Sequence, residues 1–247
     1  MYMRIDKLLC ELNLGTRSQI KELIRKGQVS INGSIQKDPG TKVDEQNDVI
    51  LLNGKRIEYR PYVYYLLHKP PGCVTATKDA KEQTVMDVFC NGIRSGQGGE
   101  LSGIPIRDLF PVGRLDKDTT GLLLITNDGE LAHKLLSPAH HVEKTYLVCV
   151  DRELTEEAVR QLTEGVDIGE KKRTRPARIE ELNGKKCLIT ITEGKYHQVK
   201  RMFQAVDYQV VSLHRLSMGG LSLPKDLKEG QVQELDAIAL QSLLDLR

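Results

Sequence analysis

Tryptophan is absent from the 247 residues, and phenylalanine occurs three times and tyrosine eight. So few rings exclude a surface on which several bases stack side by side. The densest apolar stretches, Gly121 to Ile125 and Val63 to Leu67, are strand-sized and fall well short of the ~18 residues a membrane helix needs. An integral membrane protein with helical spans is therefore excluded, and no membrane partner is expected. Five cysteines, Cys10, Cys73, Cys90, Cys149 and Cys187, are scattered with no C-x-x-C pair. That pattern predicts reduced thiols and neither a zinc site nor a disulfide frame. His140 and His141 are adjacent, a spacing at which side chains point apart, so no metal site is expected. A P-loop and a dinucleotide glycine fingerprint are also missing. The first ten residues, MYMRIDKLLC, place Arg4, Asp6 and Lys7 where a secretion signal needs an unbroken apolar core. A cytoplasmic location is the expectation.

What is present is an ordinary globular composition, 39% apolar and 28% charged, which excludes wholesale disorder. The length lies between one domain and two. Net charge is only +2, yet the charge is uneven. Residues 1 to 60 carry 11 Lys and Arg against 8 Asp and Glu, and the remainder carries 25 against 26. Within the first 37 residues the balance is 7 against 3.

That basic start reads as a separate small module. Ile5, Leu8, Leu9 and Leu12 recur at helical spacing, Gly15 breaks the pattern, and Thr16 to Ser18 starts a second helix with Ile20, Leu23 and Ile24 inside. Gly27 suits the left-handed position that ends it. Val29 and Ile31 alternate as a strand, Asn32-Gly33 is a hairpin turn, and Ile35 begins the return strand. Arg17, Lys21 and Arg25 fall four residues apart and share one face of the second helix. Asn53 to Tyr62 is read as the end of this module and a linker, which gives domains at 1–60 and 61–247.

Beyond it lie short strands at Val63 to Leu67, Gly121 to Thr126, Lys144 to Val150, Cys187 to Thr192 and Gln209 to Leu213. Helices are expected at Asp128 to Leu136, Thr155 to Glu164, Tyr196 to Ala205 and Asp236 to Asp245. Scattered alternation of this kind suits an α+β fold. Asn91 to Gly103, with five glycines and two serines, is read as a surface loop.

Four runs carry candidate chemistry: His68-Lys-Pro-Pro-Gly72; Gly113-Arg-Leu-Asp116 through Thr-Thr-Gly121-Leu; Glu143-Lys-Thr-Tyr146; and Glu193-Gly-Lys-Tyr-His-Gln-Val-Lys200-Arg-Met202. Each has a plain structural reading. Pro70-Pro71-Gly72 makes a turn, Asp116 to Thr120 a polar loop in which Asp118 caps its own backbone, Tyr146 a strand tyrosine, and Lys200 one lysine among many.

Taken together and in this order, the runs resemble the pseudouridine synthases, and within them the RsuA branch that modifies small-subunit ribosomal RNA. R-x-D-K-x-L at Arg4 to Leu9, T-R-S-x-x-x-x-L-I at Thr16 to Ile24 and G-x-V-x-I-N-G at Gly27 to Gly33 resemble the S4 RNA-binding domain. The fold implied is α+β, a small S4 (αL-like) domain followed by a synthase domain with a mixed, mostly antiparallel sheet flanked by helices. The reaction implied needs no cofactor: a uridine's glycosidic bond breaks, the uracil turns, and it rejoins the ribose through carbon 5. Asp116 matches the catalytic aspartate, with its role as nucleophile, base or electrostatic stabiliser left open. Lys200 matches the basic residue that pairs with it, and Tyr146 the tyrosine that stacks on the detached base.

Base flipping leaves a gap in the RNA, which Arg114 matches as the filler. Arg4, Lys7, Arg17, Ser18, Lys21, Arg25 and Lys26 match the S4 surface that lies along RNA phosphates. Cations there release counterions without reading sequence. The implied partner is 16S ribosomal RNA, as naked RNA or as a partly assembled small-subunit particle, with uridine 516 the branch's target and a monomer the acting form. A 23S target and a non-catalytic S4 assembly factor are the competing readings.

Overall fold

A computed structural model describes residues 2–12, 14–45, 47–57, 62–94 and 108–244. Two compact units part between Val63 and Tyr64.

In the first unit, β1 (Tyr2–Arg4) leads into α1 (Ile5–Glu11) and α2 (Arg17–Arg25), followed by β2 (Val29–Ile31), β3 (Ser34–Gln36), β4 (Lys42–Asp44), β5 (Ile50–Leu52) and β6 (Lys55–Ile57). The apolar spacing expected of the two helices does what it should. Ile5, Leu8, Leu9, Leu12, Ile20 and Ile24 are fully buried and pack on Val29, Val43 and Ile50 of the strands. Each such side chain stabilises the unit by roughly 1.5–3 kcal/mol. A capping box starts α2: Thr16 Oγ1 accepts from the Gln19 amide at 3.3 Å and Gln19 Oε1 from the Thr16 amide at 2.9 Å. β2 turns into β3 through Asn32 and Gly33, both at positive φ, as the sequence indicates.

The segment read as the end of the module and a linker begins with a second hairpin that the sequence reading did not name. Asn53 and Gly54 also take positive φ, and β6 folds back on β5. Residues 58–61, the rest of that segment and the expected boundary, lie outside the described residues, apart from Tyr62, which follows them.

The second unit contains β7 (Tyr64–Lys69), α3 (Val85–Arg94), β8 (Phe110–Pro111), β9 (Thr120–Thr126), α4 (Gly129–Leu136), β10 (Lys144–Val150), α5 (Glu156–Glu164), β11 (Arg178–Asn183), β12 (Lys186–Ile191), α6 (Gln198–Gln204), β13 (Val210–Met218), β14 (Leu221–Ser222), β15 (Val232–Glu234) and α7 (Ala237–Leu244). A mixed sheet runs β11-β12-β10-β13-β9-β7-β15, with β8 on β9 and β14 on β13. Every pairing is antiparallel except β13 with β9. One face, built from Tyr64, Leu66, Leu122 and Leu124, packs on Leu131 and Leu135 of α4. On β7 the alternate residue Tyr65 meets Phe89 of α3 edge-on at 5.3 Å. Covered on both sides, β9 reads as an unbroken apolar run.

The expected loop at Asn91 to Gly103 needs correction at its start. Asn91, Gly92 and Ile93 belong to α3, because Ile93 is buried at helical spacing from Phe89. Residues 95–107 lie outside the described residues. No helix among the described residues is long and apolar enough to cross a membrane.

Candidate active site

Asp116 lies in the segment between β8 and β9. That segment is held by the His68-Lys-Pro-Pro-Gly72 run, whose sequence suggested only a turn. Lys69 is fully buried at the end of β7, and its Nζ donates to the carbonyls of Thr119 at 2.9 Å, Pro70 at 3.1 Å and Lys117 at 3.2 Å. The Gly72 amide donates to the Lys117 carbonyl at 2.8 Å. Thr75 Oγ1 donates to the Leu115 carbonyl at 2.7 Å and accepts from the Leu115 amide at 3.1 Å. Burial pushes the Lys69 pKa down, and the nearby Cys73, Asp118 and Asp116 work against that fall.

The fourth run supplies the partners of the aspartate. Buried Glu193 accepts from Gln198 Nε2 at 2.8 Å and from the Arg175 amide at 2.9 Å, which fixes the turn into α6. His197 takes a left-handed backbone at the helix start, with its ring stacked on Tyr196. From there His197 Nε2 lies 3.3 Å from Asp116 Oδ1, and Lys200 Nζ lies 3.2 Å from Asp116 Oδ2. Lys200 also reaches Asp118 Oδ1, at 2.6 Å. The expected Lys200–Asp116 pair is thus a wider cluster, in which the shorter contact goes to Asp118. Pairing with both aspartates raises the Lys200 pKa against the effect of burial, and the Lys200 hydrogen bond lowers that of Asp118.

Asp116, Arg114 and Tyr146 line one cavity of about 600 Å³ in the second unit, within the range of small-molecule sites. Tyr146 is buried on β10, opposite Arg215 of β13. Arg215 in turn faces Gly121 of β9. Gly121 has φ +107°, and a Cβ there would stand 2.2 Å from the Arg215 carbonyl, so this position accepts only glycine. Arg215 Nε donates to the Leu122 carbonyl at 2.8 Å. Lys144, buried on β10 and lining the same cavity, donates to the Val142 carbonyl at 2.9 Å, and its pKa is lowered to about 8 by burial and by Arg215. Among the described residues no group of three His, Cys, Asp or Glu side chains is placed to hold a metal ion.

This chain matches the RNA pseudouridylate synthase family over residues 63–205 and the S4 domain over residues 3–50. The chain belongs to the RNA pseudouridylate synthase family. It is an isomerase with an N-terminal S4 domain. The synthase is 38% identical over 244 residues to the ribosomal small subunit pseudouridine synthase A of Haemophilus influenzae, covering 98% of this chain and all of that one. It is 42% identical over 237 residues to an uncharacterized RNA pseudouridine synthase of Bacillus subtilis, covering 94% and 95%. A solved pseudouridylate synthase superposes with a TM-score of 0.66 at 37% identity, over 98% of this chain and 99% of that one.

The S4 surface of the synthase divides its candidate residues. Arg4 is tied to the buried Asp6 at 2.9 Å, Lys7 to Glu11 at 3.6 Å and Lys26 to Glu22 at 2.7 Å. Arg17, Lys21 and Arg25 stand on α2 with no carboxylate within salt-bridge distance among the described residues, and Ser18 is exposed beside them. His197, Asp118, Lys144, Lys69 and Arg215 are the site residues that sequence reasoning left without a role. His197 sits inside a run already singled out, and Arg215 is a cation in an apolar strand, a signal that was open to reading.

Proposed function

We propose that the synthase converts a uridine of ribosomal RNA to pseudouridine, that the target is uridine 516 of 16S RNA, and that Asp116 is the catalytic carboxylate. The observation that carries this reading is the Asp116 carboxylate, gripped by His197 and Lys200 at the wall of a cavity large enough for one nucleoside. A carboxylate suits the step, because ribose C1′ gains positive charge as the base departs. The two side chains hold the carboxylate in place at the cavity wall. Tyr146 stacks on the detached uracil, and Arg114, exposed at the cavity edge, fills the gap that the flipped base leaves. Residue chemistry alone accomplishes the isomerisation, with no cofactor.

Arg17, Lys21 and Arg25, with Ser18, supply the sequence-independent contact to RNA phosphates. The 16S assignment rests on likeness along nearly the whole chain to the Haemophilus influenzae small-subunit enzyme. The substrate is the RNA or a partly assembled small-subunit particle, met in the cytoplasm by a monomer. The test is a map of pseudouridine in ribosomal RNA from cells with and without the gene. The signal at 516 should vanish and return with the parent gene but not with Asp116→Asn. Loss of a 23S signal in its place would move the target to the large subunit. An unchanged map would leave an RNA-binding assembly role.

A further inference from the structure

Two cations at the cavity wall have no carboxylate within salt-bridge distance among the described residues, and this needs a reason. Arg215 is 2% exposed, and its Nη2 is closed off from solvent with no hydrogen-bond acceptor. Among the described residues its only side-chain hydrogen bond is the Nε contact to the Leu122 carbonyl, which leaves Nη1 as the donor toward the cavity. Lys144 is 7% exposed and donates to a backbone carbonyl only. Neither lies within salt-bridge distance of a carboxylate among the described residues, whereas Lys200 nearby contacts two. A buried guanidinium without a counter-charge is costly, and it persists where a ligand at the cavity wall offers it an acceptor. Both residues line the same cavity as Asp116, and Arg215 is the cross-strand neighbour of Tyr146.

We infer that Arg215, supported by the charge of Lys144, is a catalytic residue that donates to a carbonyl oxygen of the uracil. This rests on the pseudouridine-forming reading of the cavity. Heterolysis of the C1′–N1 bond leaves the electron pair on the base, where N1, O2 and O4 share the negative charge. Asp116 answers the positive charge at C1′, and Arg215 answers the opposite charge on the departing ring. Preorganised donors aimed at developing charge are a principal source of catalysis.

The pseudosymmetry of uracil adds a second consequence. Rotation about the N3–C6 axis exchanges N1 with C5, and O2 with O4. A donor fixed in the sheet therefore meets a carbonyl oxygen before the turn and after it. Carbon 5 then bonds to C1′, the C5 proton leaves, and N1 takes one up. The atoms balance as an isomerisation, and nothing is oxidised.

The test pairs variants of the full-length enzyme with RNA carrying 2-thiouridine or 4-thiouridine at the target, because sulfur is the poorer acceptor. Single-turnover product formation at saturating enzyme is read beside RNA affinity. Arg215→Met should lower the rate by about 10²–10³-fold with affinity held within about twofold, and Arg215→Lys should recover at least about tenfold of that loss. Thio substitution should slow the parent and leave Arg215→Met no slower than it already is, the non-additivity expected of groups in contact. If Arg215→Met does not fold, Arg215→Lys takes its place in the cycle. A parent insensitive to both thio substitutions, or an Arg215→Met enzyme within about threefold of the parent, overturns the inference. Asp116→Asn is run alongside: full activity there would instead overturn the reading on which the inference rests.

Discussion

Lys144 shows how a single side chain trades stability for a site. Its folded pKa of about 8 lies below the ordinary lysine value of 10.5 because burial and Arg215 both disfavour the charge. Between those two pH values the unfolded chain holds a proton that the folded chain lacks. Unfolding therefore takes up a proton, and stability rises with pH across that window. Relative to Lys144→Met, which has no such group, the parent should gain up to about 1.4 kcal/mol per pH unit from pH 8 toward 10.5. Urea unfolding of both proteins at pH 7, 8, 9 and 10 measures the difference. A gap that stays constant over the series would mean that Lys144 is not held at a depressed pKa. The sequence marked Lys144 only as part of a run ending at Tyr146, because burial of a lysine depends on strands distant in the chain.

Glycines separate two element-scale effects. At Gly121 the strand pair β9 and β13 approach so closely that a Cβ would lie 2.2 Å from the Arg215 carbonyl, at φ +107°. At Gly129, in the first turn of α4, a Cβ meets nothing within 4 Å. Gly121→Ala should cost more than about 2 kcal/mol and displace Arg215, whereas Gly129→Ala should be neutral or stabilising by about 0.4–1 kcal/mol. Denaturant midpoints of the two variants decide it, and equal effects would contradict the close approach of the strands. Local signals made some elements legible. Thr16 to Ser18 marked the start of α2, where Thr16 and Gln19 close the capping box, and Asn32-Gly33 marked a hairpin. The equivalent Asn53-Gly54 was passed over beside the basic, tyrosine-bearing stretch that follows it. α3 was masked by Gly92, which its helix tolerates in a tight spot near the Gly230 carbonyl. β11 and β15 lie at opposite edges of the sheet, β11 with a largely polar sequence and β15 with three residues, so neither has much apolar alternation to read.

At the scale of the whole molecule, the proposed function assigns the holding of RNA to the α2 face and its chemistry to Asp116. Replacing Arg17, Lys21 and Arg25 together by Gln should weaken RNA binding and flatten the slope of log affinity against log salt by as much as about two to three units. Single-turnover rates at saturating enzyme should stay within about threefold of the parent. An unchanged salt slope would show that the α2 face does not meet phosphates. The broad plan was legible because the runs that position the chemistry are contiguous: Asp116, Tyr146 and Lys200 each fall in a short segment of fixed order. Their company was not. His197 and Arg215 line the cavity from the turn before α6 and from β13, and Lys69 of β7 holds the segment that carries Asp116; only tertiary structure brings these together.

The central claim is that the Asp116 carboxylate performs the isomerisation. Asp116→Asn keeps the size of the side chain and removes its charge. Under single-turnover conditions with a 16S RNA fragment, pseudouridine formation should fall by about a thousandfold or more while RNA affinity stays within about twofold of the parent. A variant that forms pseudouridine within about tenfold of the parental rate would contradict the account.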